Sequence, residues 1–370
     1  MQTIVKGKGS YKQLVDILKT IGSKKLLLVC GKNSFDALNI QNFIDATCSG
    51  YVRFSEFSPN PKYEEVCKGI KAFNSNGCDT IVAIGGGSAI DVAKCIKLFC
   101  KMNSTKNYLH QNFIDAKIPI IAVPTTAGTG SESTRYAVIY YEGEKQSITH
   151  DSILPDYSIL DASLLRTLPL YQKKCAMLDA LCQGIESWWS VNSIEESKEY
   201  SRIAVELIMQ NWRQYIFEGD EYAAEQIMLA SHYAGKAINI TQTTAPHAFS
   251  YKLTALYGIP HGHAVAICLP LIWKQMLDEK RVLNDKRGEE YIDAVFNDIS
   301  KSIGATSPID AIQSFSNLLK EMEIESPHIT EESIQILTAS VNPIRLKNNP
   351  ICLSNDDIRI IYERVDFTRV

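Results

Sequence analysis

Short apolar runs alternate with helical patterns along the first 160 residues. KLLLVCG at 25–31 is typical of a buried strand, and the spacing of apolar residues from Phe35 to Ala46 predicts a helix. The same order recurs at 51–75 and at 80–100, and one more strand precedes a polar loop near residue 124. Residues 134–150 predict a hairpin that turns at Glu142–Gly143. The alternation predicts a mostly parallel sheet with helices on both faces.

The pattern changes after about Ala162. Residues 173–190, 195–212, 222–238 and 307–322 all show helical periodicity, and few strand candidates remain. A chain of 370 residues is long enough for two substantial cores. We therefore predict an α/β nucleotide-binding domain at 1–162 and an all-α metal-binding and catalytic domain at 163–370. The active site is expected in the cleft between them.

Composition narrows the classes of partner. The net charge is −4 with no block of like charges, which argues against a nucleic-acid or anionic-membrane partner. No apolar stretch reaches the ~18 residues of a spanning helix, and the N-terminus lacks a signal-peptide core. We expect a cytoplasmic protein. Its ten cysteines form no C-x-x-C pair and are expected to be buried hydrophobes.

A glycine loop follows one predicted strand and opens a helix. AIGGGSAID at 83–91 contains Gly85, Gly86 and Gly87, which let a ligand approach the backbone, and a helix start attracts a pyrophosphate. The loop is not G-x-G-x-x-G, because position 90 is Ile. Ser88 with Asp91 also fits a capping box, so helix capping is an alternative explanation.

A second polar loop, PTTAGTGSES at 124–133, also follows a strand end. Ligands bind at such ends in α/β folds. The candidate side chains here are Thr125, Thr126, Thr129 and Ser131. Two loops of this kind in one sheet favour a nucleotide ligand.

Four polar residues in apolar surroundings suggest a metal site. Asp179 and Gln183 lie four residues apart in LDALCQGIESWW, on one helix face and ~6 Å apart along its axis. His247 and His261 flank a helical pattern that ends at Gly258 and Pro260, where a turn can bring His261 back. These groups can brace a neighbouring loop, or they can hold an ion between them.

The combined motifs resemble the iron-containing (group III metal-dependent) alcohol dehydrogenases. They are NP at 60–61, GGGSAID at 85–91, PTTAGTGSE at 124–132, LPD at 154–156, LDAL at 178–181, His247, and PHG at 260–262. The resemblance implies a divalent metal, Fe2+ or Zn2+, and hydride transfer between NAD(P)H and a carbonyl. We also expect a homo-oligomer, a dimer.

The resemblance assigns roles residue by residue. Asp179, His247 and His261 match metal ligands and catalytic residues, whereas Gln183 stands where the family normally has histidine. An amide oxygen is a poorer donor than imidazole for iron or zinc. Tyr251 stands where the family often has another histidine, linked to proton relay, and with an ordinary pKa of ~10 it is a weak acid-base group.

The cofactor region departs from relatives that prefer NAD. Those relatives have an aspartate where this chain has Gly31, and Lys32, Asn33 and Ser34 follow. No carboxylate there repels a 2′-phosphate, so NADPH is expected to be used at least as well as NADH. An ordinary strand-to-helix turn is the alternative. Lys145, in the predicted hairpin, completes the candidate cofactor-binding set.

Two cations near the site suggest an anionic substrate. Arg135 follows the second polar loop, and Tyr251 and Lys252 follow His247, although Lys252 at i+5 points ~140° away on a helix. With SWWSVN, GKAINIT and YGIPHGHA, the chain resembles the phosphonoacetaldehyde reductase branch, which forms 2-hydroxyethylphosphonate. Solvated surface cations are the alternative explanation of Arg135 and Lys252. Alternative functions are a generic short-chain alcohol dehydrogenase, a dehydroquinate-synthase-like cyclase and a catalytically weak nucleotide-binding protein.

Overall fold

The computed structural model describes residues 2–48 and 50–365, with the backbone alone at 344 and 345. The chain separates into two compact units. The first runs to Pro169 and includes Gly219–Met228, and the second comprises Leu170–Glu218 and the residues from Leu229 onward. The sequence placed the boundary a few residues earlier, after 162, and assigned 219–228 to the helical domain. Helical periodicity alone does not show to which unit a segment belongs.

The first unit is built on a parallel six-stranded sheet. Its order is β1-β8-β5-β4-β2-β3, and every pair of neighbours is parallel. Its six strands are β1 Thr3–Lys6, β2 Leu26–Cys30, β3 Val52–Phe54, β4 Thr80–Gly85, β5 Ile120–Pro124 and β8 Tyr157–Leu160. Two further strands, β6 Tyr136–Tyr141 and β7 Glu144–Thr149, form a separate sheet. The helices are α1 Leu14–Thr20, α2 Lys32–Asp36, α3 Gln41–Thr47, α4 Tyr63–Ser75 and α5 Gly87–Phe99.

Strands buried on both faces explain the continuous apolar runs. Along β2, Leu27 and Val29 contribute to one hydrophobic core, whereas Leu26 and Leu28 contribute to the other. Successive side chains of a strand point to opposite faces, so a sheet covered on both sides requires apolar residues at every position. The predicted α/β architecture is confirmed.

Two local predictions had different outcomes. The hairpin is confirmed, because β6 and β7 are antiparallel and turn at Glu142 and Gly143, whose φ angles are 50° and 80°. The single helix expected from Phe35 to Ala46 was wrong. The structure has α2 and α3 there, separated by Asn39 at φ 56°. A left-handed residue cannot continue a right-handed helix, but asparagine adopts that conformation readily.

The second unit is helical except for one small sheet. Its helices are α6 Leu170–Trp189, α7 Glu195–Arg213, α8 Glu221–Thr241 (which begins within the first unit's segment), α9 Ala245–Tyr257, α10 His261–Met276, α11 Glu289–Ile303, α12 Pro308–Glu321, α13 Glu331–Ser340, α14 Pro343–Leu346 and α15 Asn355–Val365. The all-α expectation missed two antiparallel strands, β9 Val282–Leu283 and β10 Ile351–Cys352. Strands of two residues are too short to show an alternating pattern.

Among the described residues, no helix combines the length and the apolar character needed to cross a membrane.

Candidate active site

The two polar loops meet at the carboxyl edge of the sheet. Strands β4 and β5 are neighbours, with Gly85 paired to Pro124, and the amide of Thr125 donates to the Gly85 carbonyl at 3.0 Å. Gly86 precedes the first residue of α5, Gly87. The loops therefore lie side by side at the end of the sheet where α/β folds bind ligands, as the sequence predicted.

The glycines allow this close approach. A Cβ on Gly86 would lie 3.1 Å from the Thr126 side chain, and one on Gly87 would lie 2.9 Å from that of Thr129. Larger residues at either position would push the threonines away from the start of α5. The first-turn N–H groups of a helix have no partner within it. Together with the threonine hydroxyls they are suited to bind a phosphate, so the residues present fit a nucleotide.

The capping-box explanation was wrong, because neither of its side chains caps α5. The Ser88 hydroxyl donates instead to the carbonyl of Pro59. Asp91 accepts from the Ser131 hydroxyl at 2.6 Å and from the Val138 amide at 2.9 Å. Burial raises the pKa of Asp91, although the positive charges of Lys94 and Lys145 act to lower it. Asp91 therefore braces the second polar loop, with the Lys145 charge nearby.

Lys94 is a residue that the sequence analysis missed. It is fully buried, and its ammonium donates to the Ser131 carbonyl at 2.6 Å, to the Thr134 hydroxyl at 3.1 Å and to the Tyr136 carbonyl at 2.7 Å. Burial lowers its pKa to about 8, although Asp91 and Glu132 act in the opposite direction. A lysine one turn after Asp91, in a helix that is mostly apolar, was the available signal. Lys94 and Asp91 together hold the loop around Ser131.

The candidate 2′-phosphate region is a solvent-exposed helix start. Gly31 precedes α2, and Lys32 and Asn33 are exposed in its first turn. Arg53 on the neighbouring strand donates to the Lys32 carbonyl at 3.0 Å and forms a 2.9 Å ion pair with Asp36. Position 31 carries no carboxylate, whereas relatives that prefer NAD have an aspartate there. Arg53, which the sequence analysis did not single out, adds a second cation nearby.

Three helices of the second unit bring the predicted metal ligands together. Asp179 and Gln183 lie on α6, His247 on α9 and His261 at the start of α10. Gly258, at φ 66°, ends α9, and Pro260 starts the reversal into α10. Ligand atoms of Asp179, His247 and His261 all lie within 4.8 Å of one another. The turn that the sequence suggested is present.

The donor atoms fit a metal ion. Oδ1 of Asp179 and Oε1 of Gln183 are buried without a hydrogen-bond partner among the described residues. A buried polar atom without a partner is costly. Oδ1 of Asp179 lies 3.3 Å from Nε2 of His247, and two donors on one ion at ~2.1 Å are about 3 to 3.4 Å apart. Two oxygens and two imidazoles form a plausible set for Fe2+ or Zn2+.

Both histidines are held through Nδ1, and Nε2 of His247 faces Oδ1 of Asp179 at 3.3 Å. Nδ1 of His247 contacts the buried carboxylate of Glu186. Nδ1 of His261 lies 3.3 Å from Oγ of Ser250, whose own proton is donated to the carbonyl of His247 at 2.8 Å. Each Nδ1–H therefore has an acceptor. Burial acts to lower the pKa of His247, but the carboxylates of Glu186 and Asp179 outweigh burial, so the pKa of His247 lies above its usual value.

The electrostatics of Asp179 keep it ionised. Burial acts to raise its pKa, but the neighbouring His247 and His261 outweigh burial, and the pKa lies below its usual value. Asp179 is therefore a carboxylate, the form that binds metals.

Glu186 was also missed by the sequence analysis, although a signal was available. It lies seven residues after Asp179 and three after Gln183, so all three share one face of α6. Ser250 follows three residues after His247 on α9. Glu186 lies in the quoted stretch LDALCQGIESWW but outside the LDAL motif, and Ser250 lies in no quoted motif; the roles of both depend on contacts between helices.

Gly262 explains the glycine of the PHG motif. A Cβ on it would lie 2.0 Å from the Cys175 carbonyl oxygen and 2.8 Å from the Asp179 Cβ. Only glycine lets the first turn of α10 pack directly against α6. This contact places His261 next to Asp179.

The remaining candidates have distinct surroundings. Tyr251 stacks on His261, with ring centroids 5.6 Å apart and an interplanar angle of 6°. Lys252 is partly buried and has no ion pair with any described residue. Arg135, in the first unit, forms a 2.9 Å ion pair with Asp151 and is not an unpaired cation. Asp151 therefore competes with any anion for the Arg135 guanidinium.

His263 has a structural role. Its Nε2 lies 2.7 Å from the Glu325 carbonyl and its Nδ1 lies 2.7 Å from the Tyr171 hydroxyl. Both ring nitrogens are occupied by protein partners, and burial lowers its pKa. It is therefore not available as a metal ligand.

The sheet, the two polar loops and the cluster of Asp179, Gln183, His247 and His261 fit the class of metal-dependent proteins with a nucleotide-binding α/β unit. Residues 2–162 match the iron-containing alcohol dehydrogenase family and residues 174–365 match the C-terminal region of the same family. The chain belongs to the iron-containing alcohol dehydrogenase family.

Individual relatives agree with this assignment. The chain is 31% identical over 271 residues to a probable alcohol dehydrogenase, EutG, of Escherichia coli, covering 71% of this chain and 66% of that protein. It is 29% identical over 332 residues to an NADPH-dependent butanol dehydrogenase of Clostridium saccharobutylicum, covering 85% of this chain and 80% of that one. The structure of sulfoacetaldehyde reductase from Bifidobacterium kashiwanohense in complex with NAD+ has a TM-score of 0.88 and 28% identity, covering 98% and 96%.

Proposed function

We propose that this protein reduces a small aldehyde to a primary alcohol with NAD(P)H and a divalent metal, and that its substrate carries an anionic tail. The observation that carries the proposal is a cluster of donor atoms. Oδ1 of Asp179 and Oε1 of Gln183 are buried without a hydrogen bond among the described residues, and Nε2 of His247 lies 3.3 Å from Oδ1 of Asp179. These atoms fit an ion, and the family match makes reduction of an aldehyde the corresponding reaction. The cyclase alternative loses support because the matched family is that of the alcohol dehydrogenases.

The chain's own residues have separable roles in this proposal. Asp179, Gln183, His247 and His261 hold the metal, and the loops at Gly86 and Thr126 hold the cofactor phosphates. When bound, the metal polarises the aldehyde oxygen and the nicotinamide supplies the hydride. Tyr251, stacked on His261, contacts the substrate. Water or a hydroxyl chain supplies the proton.

NADPH is the favoured cofactor in the proposal. Gly31 provides no carboxylate, and Lys32 is an exposed cation at the start of α2. Arg53 lies nearby but contributes only if its ion pair with Asp36 opens. The names of the relatives include both an NADPH-dependent enzyme and one bound to NAD+. The chain's own residues therefore carry the preference.

Phosphonoacetaldehyde is the proposed substrate. Lys252 follows Tyr251 on α9 and forms no ion pair with any described residue. At i+5 from His247, its long side chain is what would bring the ammonium to the substrate. One similar structure is named for a reductase of sulfoacetaldehyde, which also has an anionic tail. A cation that contacts phosphoryl oxygens both strengthens and orients binding. Arg135 contributes only if its pair with Asp151 opens.

The first experiment tests the general reaction. An aldehyde panel is assayed with NADH and with NADPH, before and after chelation. We expect turnover that chelation removes and a divalent metal restores, with kcat/KM for NADPH at least equal to that for NADH. His261→Ala should remove turnover while preserving the fold and nucleotide binding. Full activity in that variant contradicts the metal site, and no turnover by the wild type favours the catalytically weak nucleotide-binding protein.

The second experiment tests the substrate class. Phosphonoacetaldehyde and sulfoacetaldehyde are compared with propanal and butanal in the wild type, in Lys252→Ala and in Arg135→Ala. Loss of one charge-assisted contact costs ~1.5–3 kcal/mol, roughly ten- to over a hundredfold in KM, for the anionic aldehydes alone. Asp151→Asn is the matched control, because it frees Arg135 and should lower that KM if Arg135 binds the tail. If the wild type uses neutral and anionic aldehydes equally well, the anionic-substrate proposal is contradicted and the protein is a generic short-chain aldehyde reductase.

A dimer remains the expected state of assembly. Light scattering of the purified protein tests it, and a monomeric mass contradicts it.

A further inference from the structure

Glu186 is a fully buried carboxylate on α6 whose two oxygens are both engaged. One oxygen contacts Nδ1 of His247. The other accepts from the Thr244 amide at 2.7 Å and from the Thr244 hydroxyl at 3.0 Å. A buried carboxylate is tolerated only when it is paired or hydrogen-bonded. Three donors meet that requirement here.

The contact with His247 decides which ring nitrogen is free. When Nδ1–H is donated to Glu186, the lone pair of the neutral ring lies on Nε2. That atom faces Oδ1 of Asp179, 3.3 Å away. With the opposite tautomer, Nε2 carries a hydrogen and cannot bind an ion. Glu186 therefore sets the atom that His247 presents to the site.

Glu186 also fixes the start of the helix that carries His247. Thr244 directly precedes α9, and its side chain forms no capping hydrogen bond. Instead, the Glu186 carboxylate accepts a hydrogen bond from the Thr244 amide, and Nε1 of Trp189 donates to the Thr244 hydroxyl at 2.8 Å. Because Asp179 and Glu186 share α6, this contact joins the two ligand-bearing helices.

We propose that Glu186 is a positioning residue of the metal centre, which orients His247 and sets its tautomer. Glu186 contacts neither the ion nor the substrate and acts only through His247 and the start of α9. The inference rests on the proposed metal site.

The test measures metal affinity and histidine tautomer. Glu186→Gln has the same shape, but its amide nitrogen can donate to Nδ1 and so favours the wrong tautomer. We expect its zinc Kd, measured by competition calorimetry on chelated protein, to be 10 to 100 times weaker than that of the wild type. Glu186→Asp retains a carboxylate and should recover part of the affinity. Glu196→Gln is the control, since Glu196 is exposed and accepts from Tyr200 on α7.

A second readout separates positioning from a merely structural role. In zinc-loaded protein with 15N-labelled histidine, long-range 1H–15N spectra should show His247 protonated at Nδ1 in the wild type and in Glu186→Asp. An altered His247 pattern is expected in Glu186→Gln, with the spectrum of Glu196→Gln unchanged. The inference is overturned if Glu186→Gln binds zinc as tightly as the wild type with the same His247 tautomer. If the wild type itself binds no metal, the proposed function fails first.

Discussion

Gly262→Ala is the substitution whose effect the structure defines most directly. The added Cβ would lie 2.0 Å from the backbone oxygen of Cys175, whereas Cβ atoms are essentially never found within 3.0 Å of such a neighbour. The first turn of α10 must therefore move by about 1 Å or more, because a backbone carbonyl in α6 cannot rotate away. Overpacking of this kind costs ~1–3 kcal/mol. At roughly 2–4 °C per kcal/mol, the melting temperature should fall by about 2–12 °C.

The same displacement should weaken metal binding. His261 directly precedes Gly262, and a ligand site tolerates errors of only about 0.5 Å. Thermal melts of chelated protein measure the packing cost, and zinc competition calorimetry measures the Kd, which should rise at least tenfold. The measurements are independent, because the first is made without metal.

Gly184→Ala is the matched control for this prediction. Gly184 lies within α6, where alanine is favoured by ~0.5–1 kcal/mol, and its Cβ would meet a methyl group of Val205 at 3.2 Å, so a shift of a few tenths of an ångström relieves the contact. Its melting temperature should be unchanged or slightly higher. If Gly262→Ala melts within 1 °C of the wild type and retains its zinc affinity, the packing argument is refuted.

The remaining predictions concern the metal, the cofactor and two titratable groups. Gln183→His should retain metal through dialysis better than the wild type, since imidazole is the stronger donor; no gain would argue that Gln183 is not a ligand. Gly31→Asp should lower kcat/KM for NADPH relative to NADH, with Gly31→Asn as the uncharged control, and equal ratios in both variants would contradict charge repulsion. Lys94, with its pKa lowered to about 8, releases its proton in the folded protein before the unfolded chain does. From pH 8 to about 10.5 the free energy of unfolding of the wild type should therefore rise relative to that of Lys94→Met, by at most ~3 kcal/mol. If chemical denaturation shows a difference between the two proteins that does not change with pH, the lowered pKa of Lys94 is contradicted. The expectation that all ten cysteines are buried was wrong for Cys352, which is exposed, and for Cys67, which is partly exposed. Cys352 should therefore give the fast phase in a thiol-reagent titration, and an unchanged fast phase in Cys352→Ser would contradict this assignment.

Much of the cofactor region could be predicted from short stretches of sequence. A parallel sheet places the carboxyl ends of its strands at one edge, so two glycine- and threonine-rich loops after two strands were expected to meet.

Part of the candidate metal site could also be predicted. Asp179 and Gln183 were placed on one face by helix geometry alone. The reversal at Gly258 and Pro260 could be read because those residues end and restart helices.

The contacts that hold these groups in position could not be predicted in the same way. Ser88 and Asp91 match a capping box in sequence, yet Asp91 binds Ser131, forty residues away. Arg135 was expected to bind the anionic tail of a substrate, but in the structure it is paired with Asp151. A local motif states what a side chain can do, and the partners that packing brings near decide which option it takes.

The sequence by itself determined the alternation of strands and helices, the two polar loops and the types of donor available to a metal. These properties follow from the periodicity of a strand or helix and from side-chain chemistry, which act over a few residues. Only the tertiary structure decided that Glu186 orients His247, that Lys94 is buried under the second loop and that Gly262 brings α10 against α6. Each of these depends on segments far apart in the chain, whose contact is set by the packing of whole helices and leaves no local pattern.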